Sequence, residues 1–193
     1  MIIYVTKETF ERYKLKMPED ISDPFVSAVA DAVLRKESGD RLQEWGGKLF
    51  YFDHRKCLQL VNFASKLTLI LVDIKMTDRE AIGNIMANYM FKLYEGNSQM
   101  TRLLEQHFAE NPTVCFARLK DKSAIATLNR TQSDYLHDGY RLYDYISEGI
   151  LHTIDLNGDI NWKWAFTQKI NGKTQYIRPA ERFEQLLLER YGK

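Results

Sequence analysis

The chain has 193 residues, of which 45% are hydrophobic and 12% are aromatic. This content predicts one globular domain over residues 1–193, with a core of its own, and it excludes a largely disordered polypeptide. The 27 Lys and Arg residues nearly balance the 26 Asp and Glu residues. The net charge therefore gives no general attraction to nucleic acid or to an anionic membrane.

Two features of the sequence bear on its compartment. Cys57 and Cys115 lie in apolar runs, where we expect them to pack as small apolar side chains rather than to build a disulfide framework. The N-terminal segment lacks a basic stretch followed by a long apolar one, and the apolar run 67–72 is far shorter than the roughly 20 residues that span a bilayer. We therefore expect a cytoplasmic protein without membrane association.

The N-terminal part of the chain predicts one strand and two helices. Residues 2–5 are rich in β-branched side chains, which favour a strand. Thr6 is a candidate cap for a helix over 6–16, and Pro24 suits the first turn of a second helix over 24–36. That second helix has apolar side chains at helical spacing, namely Phe25, Val26, Val29 and Val33.

Three short apolar runs, 48–52, 57–62 and 67–72, form the clearest β region of the chain. Links of about four residues join them, which is typical of antiparallel hairpins. The runs therefore predict a three-stranded meander over about 48–72. Alternation along the strands predicts one set of core side chains, namely Leu49, Tyr51, Leu58, Leu60, Leu69 and Leu71.

The middle of the chain predicts mainly helices. Thr77 and Glu80 have the spacing of a capping box, at the start of a helix that Gly96 ends. The remaining elements of this region are a helix over 98–110, a strand over 113–118, and helices over 123–136 and 142–151.

The tail of the chain contains a strong hairpin signal. Asn171-Gly172 supplies the positive φ angles of a tight turn, and it lies between 162–166 and 174–177. We predict a hairpin there, followed by a helix that begins at Pro179. Because strands and helices are mixed without regular alternation, the sequence predicts an α+β fold with several helices packed on an antiparallel sheet built on the meander.

Motifs of cofactor-dependent and metal-dependent enzymes are missing from the sequence. There is no Gly-rich phosphate loop, zinc-protease helix motif, Gly-x-Ser-x-Gly elbow or Cys-x-x-Cys pair, so we predict no cofactor. The stretch 155–161 resembles the start of a calcium loop, but Ile160 and Phe166 occupy the required Gly and Glu positions, which favours an Asx-rich turn. The four histidines lack a metal-ligand spacing, and we predict no metal site.

Two segments have the composition of a binding surface. In the predicted tail hairpin, aromatic and basic residues interleave, a pattern that serves either to stack bases or to bury one side of a strand. These residues are Trp162, Lys163, Trp164, Lys169, Lys173, Tyr176 and Arg178. The polar cluster 118–123 precedes a predicted helix, where it either holds an anion or caps the helix through Asp121 or Ser123.

Short blocks with a shared pattern recur along most of the chain. They are Glu44-Trp45, Lys48-Leu49, Arg55-Lys56-Cys57-Leu58, Val61-Asn62, the run 67–71, Val114-Cys115-Phe116, Lys122-Ser123-Ala124-Ile125, Leu128-Asn129 and Ile177-Arg178-Pro179. These blocks resemble an uncharacterised family of small bacterial, phage and plasmid-borne proteins, a domain of unknown function. The resemblance implies an α+β domain without a known activity, and it draws attention to Trp45, Asn62, Ser123 and Asn129.

Three hypotheses for the function remain open. The first, which the lack of catalytic motifs favours, is a non-enzymatic binding protein whose partner is another protein. The second is a nucleic-acid-binding protein that uses the tail hairpin, Arg55-Lys56 and the lysines of 120–122. The third is a metal-independent hydrolase or transferase in which His54, Asn62 and Ser123 meet in the fold. The candidate binding residues are Trp45, His54, Arg55, Lys56, Asn62, Lys120, Lys122, Ser123 and Asn129. The sequence predicts no oligomeric state.

Overall fold

The computed structural model describes residues 1–170 and 172–192. Its strands are β1 (Ile2–Val5), β2 (Glu44–Phe52), β3 (Arg55–Asn62), β4 (Thr68–Val72), β5 (Cys115–Arg118), β6 (Ile146–Ser147), β7 (Ile150–Leu151), β8 (Phe166–Ile170) and β9 (Lys173–Ile177). Its α-helices are α1 (Lys7–Arg12), α2 (Pro24–Glu37), α3 (Ile82–Leu93), α4 (Ser98–Glu110), α5 (Lys122–Arg130), α6 (Thr153–Trp162) and α7 (Pro179–Tyr191). Asn171, in the predicted tail turn, lies outside the described residues.

The main sheet has five strands in the order β4-β3-β2-β1-β5. The pairs β2–β3 and β3–β4 are antiparallel, with Leu58 opposite both Leu49 and Leu71, so the predicted meander is confirmed. Strand β1 runs parallel to both β2 and β5. The α+β class is therefore confirmed, but the expectation of an antiparallel sheet is wrong. Helical crossovers return the chain to the sheet in the same direction, which makes the sheet mixed.

Both faces of the sheet are covered. On one face, Leu49, Leu60 and Leu69 pack with residues of α1, α3, α4 and α7 in the larger apolar cluster. On the other face, Phe50 and Ile70 pack with α6 and the helical turns over 131–145. Of the predicted core positions only Tyr51 is wrong, since it is 45% exposed at the end of β2, where its hydroxyl accepts from Arg12 Nε at 3.1 Å.

Helix α6 covers the outer edge of the sheet through two asparagines one turn apart. Asn157 Oδ1 accepts from Ile70 N at 2.7 Å, and its Nδ2 donates to Ile70 O at 3.0 Å. Asn161 Oδ1 accepts from Thr68 N at 2.8 Å, and its Nδ2 donates to Thr68 O at 2.6 Å. The two amides thus satisfy the edge of β4 as a sixth strand would. The Asx-rich turn predicted for 155–161 is wrong, because these side chains are used to hold a helix against the sheet.

Two predicted segments differ from the observed structure because of local turn geometry. The capping box at Thr77 is wrong: the carboxylate of Asp78 accepts from Lys75 N at 2.7 Å, a 3-10 turn spans Met76–Ala81, and α3 begins at Ile82. The helix predicted over 142–151 is also wrong. Glu148 and Gly149 adopt φ angles of 51° and 77°, which a helix does not allow. The segment instead forms a 3-10 turn, His137–Tyr145, and the hairpin β6–β7.

The tail hairpin is shorter than predicted. Trp162 is the last residue of α6, and the first strand of the hairpin begins at Phe166. Trp162 Nε1 donates to Leu93 O at 3.2 Å, and the Trp164 ring lies 4.6 Å from the Phe166 ring. Both tryptophans therefore pack against the body of the protein instead of alternating along a strand.

The two cysteines are buried, as predicted. Burial raises the pKa of the Cys57 thiol to about 12 and that of the Cys115 thiol to about 11. Across the residues that the structure describes, none of the helices combines the length and the apolar character needed to cross a membrane.

Candidate anion-binding site

A cleft of about 410 Å³ lies where the β3–β4 turn meets α5 and the tail hairpin. We call it the basic cleft. Among the described residues, its charged lining consists of four cations, and no carboxylate lines it. The lining residues are Arg41, Phe63, Ala64, Lys66, Ser123, Ala126, Thr127, Arg130, Phe166, Thr167 and Lys169.

The β3–β4 turn is built by Asn62, whose side chain is fully buried. Its Oδ1 accepts from Ala64 N at 3.1 Å and from Ser65 N and Ser65 Oγ at 3.0 Å. Its Nδ2 donates to Leu42 O at 2.9 Å. These bonds place Lys66 in the left-handed region, with φ 65°, and Lys66 N donates to Asn62 O at 3.0 Å. Asn62 thus shapes one wall of the cleft without being exposed to a ligand.

Lys66 is the most unusual residue of the basic cleft. It is only 9% exposed, and within the described residues no carboxylate lies within 4.0 Å of its ammonium. Burial lowers the pKa of Lys66, the nearby Arg41 lowers it further, and Asp121 opposes both effects. A lysine that is this little exposed and has no ion-pair partner is rare, because burial disfavours its charged form unless a counter-charge compensates.

Arg41 is held in place beside the cleft. Its Nη1 lies 2.8 Å from Asp121 Oδ2 and 3.5 Å from Glu44 Oε2, and its guanidinium lies 4.4 Å from the centre of the Phe63 ring. Although burial opposes the effect, hydrogen bonds from Ala124 N and from Arg41 lower the pKa of Asp121. Arg41 is therefore a fixed cation whose charge is shared with acids outside the cleft.

Helix α5 supplies hydroxyl groups and a third cation. Asp121 Oδ1 caps the helix by accepting from Ala124 N at 2.9 Å, so the cluster 118–123 acts as a helix cap. Ser123 and Thr127 lie one turn apart and both line the cleft. Arg130 lies a further turn away, where its Nε is 3.2 Å from Asp134 Oδ2.

The tail hairpin closes the cleft from the other side. Thr167 and Lys169, two positions apart on β8, line the cleft, and both are exposed. Since alternate residues of a strand point to the same face, Thr167 and Lys169 lie on one face of the hairpin, whereas the buried Phe166, which also lines the cleft, points to the other. Together the lining offers cations and hydroxyl donors, which is the chemistry that binds an oxyanion.

The structure disperses most of the predicted binding residues. Trp45 is fully buried and its ring lies 6.4 Å from the Phe183 ring. Arg55 Nη1 lies 3.3 Å from Asp73 Oδ2, and the neighbouring Lys56 is exposed. Asn129 Oδ1 accepts from Lys48 Nζ at 3.0 Å. Lys120 and Lys122 are exposed; Lys120 lines a separate groove of about 600 Å³ that also contains four acids. Of the nine predicted residues, Ser123 lies in the basic cleft and Asn62 supports it.

The predicted catalytic group does not assemble. His54 lies in the turn before β3 and Asn62 is the last residue of that strand, which separates them by more than about 20 Å at 3.3 Å per residue. The structure instead places Ser147 Oγ 2.7 Å from His152 Nε2, on the exposed hairpin β6–β7. Neither residue lines the basic cleft or the groove that contains Lys120.

The sequence did not indicate five polar residues of the basic cleft, namely Arg41, Lys66, Thr127, Arg130 and Thr167. They lie far apart along the chain, and none belongs to a recognisable motif. The one local signal was the polar link between the second and third runs of the meander, which ends in Lys66. Nothing in that link shows that its lysine is buried.

A family model described as Domain of unknown function (DUF6933) matches residues 2–182, in agreement with the resemblance found in the sequence. No curated protein matches the chain. Among the described residues, no group of three or more His, Cys, Asp or Glu side chains is arranged to hold a metal ion.

Proposed function

We propose that this chain, which belongs to the family of the domain of unknown function DUF6933, is a non-enzymatic binding protein whose ligand carries phosphate groups and occupies the basic cleft. The observation that carries the proposal is Lys66, a cation that is only 9% exposed and has no carboxylate within salt-bridge distance among the described residues.

The electrostatics of the cleft favour an anionic ligand. Partial burial of Lys66, which lines the cleft, disfavours its charged form, and the nearby Arg41 adds repulsion. An anion between these cations would compensate both costs at once and would raise the lowered pKa of Lys66. Protein carboxylates compensate Arg41 and Arg130 from outside the cleft, whereas Lys66 and Lys169 lack such partners within the described part of the chain.

The donors of the cleft match a phosphate better than a carboxylate. A phosphate monoester has a charge of about −1.5 to −2 at neutral pH and three acceptor oxygens. The cleft combines the ammonium groups of Lys66 and Lys169 with the hydroxyls of Ser123 and Thr167, whereas the Thr127 hydroxyl donates to Ser123 O at 3.0 Å. The cleft still has more donors than a two-oxygen carboxylate can use.

The first prediction tests Lys66 directly with inorganic pyrophosphate as the probe. In a thermal unfolding experiment, a ligand at one hundred times its Kd stabilises the folded state by about 2.7 kcal/mol, or several degrees in Tm for a chain of this size. We expect wild-type protein to show this shift and Lys66→Met to lose it. Because the substitution removes a buried unpaired charge and keeps the apolar stem, the unliganded variant should be at least as stable as wild type.

The matched control is Lys122→Met. Lys122 is an exposed lysine next to Ser123 that does not line the cleft, so it should keep the full pyrophosphate shift. An unchanged shift in Lys66→Met would overturn the proposal. A clear loss of stability in unliganded Lys66→Met would also contradict the proposal, because it would show that Lys66 stabilises the fold.

Two further expectations belong to this proposal. The family resemblance suggests that the protein acts in the cytoplasm of bacteria that carry phages or plasmids. A protein partner also stays a prediction, which is supported by large side chains exposed by 45% or more between residues 140 and 154. These are Tyr140, Tyr143, Ile150 and Ile154.

A further inference from the structure

We infer that the phosphate-bearing ligand is a single-stranded nucleic acid, whose backbone follows the basic cleft while one of its bases stacks on Tyr176. This inference rests on the proposed function, since it assumes that the basic cleft binds phosphate. It adds the class of ligand and a second contact outside the cleft.

The register of the tail hairpin places Tyr176 relative to the residues that line the cleft. Strands β8 and β9 are antiparallel, with Thr167 opposite Tyr176 and Lys169 opposite Thr174. Directly opposed residues of an antiparallel pair point to the same face of the hairpin. Tyr176 therefore lies on the same face of the hairpin as Thr167 and Lys169, which line the basic cleft.

Tyr176 is available as a stacking surface. It is 82% exposed, and within the described part of the chain its ring makes no aromatic or hydrogen-bond contact. Its cross-strand neighbour is Thr167, and Lys169 lies diagonally opposite. The hairpin therefore presents an exposed aromatic ring beside an exposed lysine, the pair of groups that proteins use to stack a base and neutralise its phosphate.

Four other aromatic and basic residues of the tail, Trp162, Lys163, Trp164 and Arg178, are used within the protein. Lys163 Nζ lies 2.7 Å from Asp159 Oδ1, and Arg178 Nη1 lies 2.8 Å from Glu181 Oε1. The rings of Trp164 and Tyr135 are 4.7 Å apart. Tyr176 and Lys169 are therefore the members of this set that are exposed on the cleft side of the hairpin.

The size of the cleft favours a single strand over a duplex. About 410 Å³ is at the lower end of the volumes that hold a small ligand, roughly 300–1,000 Å³. This space admits a short piece of sugar-phosphate backbone. In a duplex the base beside that backbone would be paired and stacked already, whereas an unpaired base can stack on the Tyr176 ring.

The test measures fluorescence anisotropy of a labelled oligothymidylate of about 10 nucleotides, a typical length for one single-strand binding domain, over a range of salt concentrations. Lys66 and Lys169 lack ion-pair partners among the described residues, so we expect the logarithm of the affinity to fall with the logarithm of salt with a slope of about −1.4, or about −0.7 for each contact. Lys66→Met should abolish detectable binding at physiological salt.

Substitutions in the hairpin separate stacking from charge. Tyr176→Ser should weaken oligothymidylate binding by about 5- to 150-fold, the range expected from removing one base–aromatic stack, and should leave the salt slope unchanged. Lys169→Gln should reduce the slope by about 0.7. Lys173→Gln is the matched control, because Lys173 is also exposed but is adjacent to Thr174 on β9 and thus points to the opposite face. It should leave both affinity and slope unchanged.

Three outcomes would overturn the inference. One is pyrophosphate binding that depends on Lys66 without any oligothymidylate binding, a result that keeps the proposed function and removes the nucleic acid. The second is binding of the oligothymidylate paired with its complementary strand that is as tight as binding of the single strand. The third is binding of thymidine monophosphate as tight as that of the oligomer, with no effect of Tyr176→Ser. Loss of the pyrophosphate response itself would instead contradict the proposed function.

Discussion

The two links of the meander have the same length and both end in a lysine, but they differ in the folded protein. The first contains two residues in the left-handed region, Asp53 with φ 47° and His54 with φ 64°, and the second contains Lys66 with φ 65°. In the first link His54 and Lys56 are exposed, and Arg55 is paired with Asp73. In the second, Asn62 fixes the turn and Lys66 is buried without a carboxylate partner among the described residues. Burial and the lack of a carboxylate partner among the described residues therefore distinguish Lys66 from the solvated Lys56.

The second prediction tests the difference in burial between the two ends of the meander, and it has the largest expected effect. Leu69 lies opposite Leu60 near the second link and is fully buried. Leu69→Ala should lower the free energy of unfolding by about 2–5 kcal/mol. Tyr51→Ala is the matched control near the first link, where Tyr51 lies opposite Lys56 and is 45% exposed, and it should cost less than about 1 kcal/mol. Urea denaturation measures both; equal losses would mean that the two ends are buried alike.

The third prediction compares Lys66 with a buried base that can lose its proton. His107 is fully buried beside Phe108, Phe183 and Tyr191. Burial lowers its pKa from 6.5 to about 4, and Arg190 adds to this effect. His107 is therefore neutral in the folded protein at pH 7, and burial shifts the pKa of Lys66 in the same direction.

The sign of the resulting pH dependence follows from that lowered pKa. Above pH 6.5 His107 is neutral in both the folded and the unfolded states, so stability is unaffected. Between pH 6.5 and 4 the unfolded state binds the proton first, and the free energy of unfolding should fall by about 3 kcal/mol. Urea denaturation of wild type and His107→Phe between pH 7.5 and 4.5 measures the effect, which should be largely absent from the variant. Parallel profiles would show instead that the pKa of His107 is the same in the folded and the unfolded states.

Local patterns predicted much of the fold, because they depend on neighbours in sequence. Alternating apolar residues predicted the meander, and helical spacing predicted α4 with its stated bounds. Parallel pairing of β1 with β2 and β5 was missed, because it depends on long-range contacts such as Ile3 with Trp45 and Phe116. Asn157 and Asn161 were misassigned to a turn for the same reason, since their partners lie on β4.

The basic cleft was harder to predict than the sheet. Its cations come from the segment before β2, the second link, the end of α5 and β8, and no spacing in the sequence connects them. The aromatic and basic pattern of the tail did contain Lys169 and Tyr176, but it also contained residues whose contacts are internal, such as Trp162 and Lys163. Composition therefore identified the hairpin that lines the cleft, but it could not select which of its side chains do so.

The last prediction returns to the first link and has the smallest effect. His54→Gly and His54→Ala both remove the imidazole, but only Ala keeps a Cβ at φ 64°. The left-handed conformation costs an L-residue roughly 1 kcal/mol, so in urea denaturation His54→Gly should be more stable than His54→Ala by up to about that amount, reduced by the greater freedom of glycine in the unfolded chain. Because the length of β3 separates His54 from the basic cleft, neither variant should change the pyrophosphate shift. Loss of that shift in both variants would show that the two links act together at one site, as the hydrolase hypothesis requires.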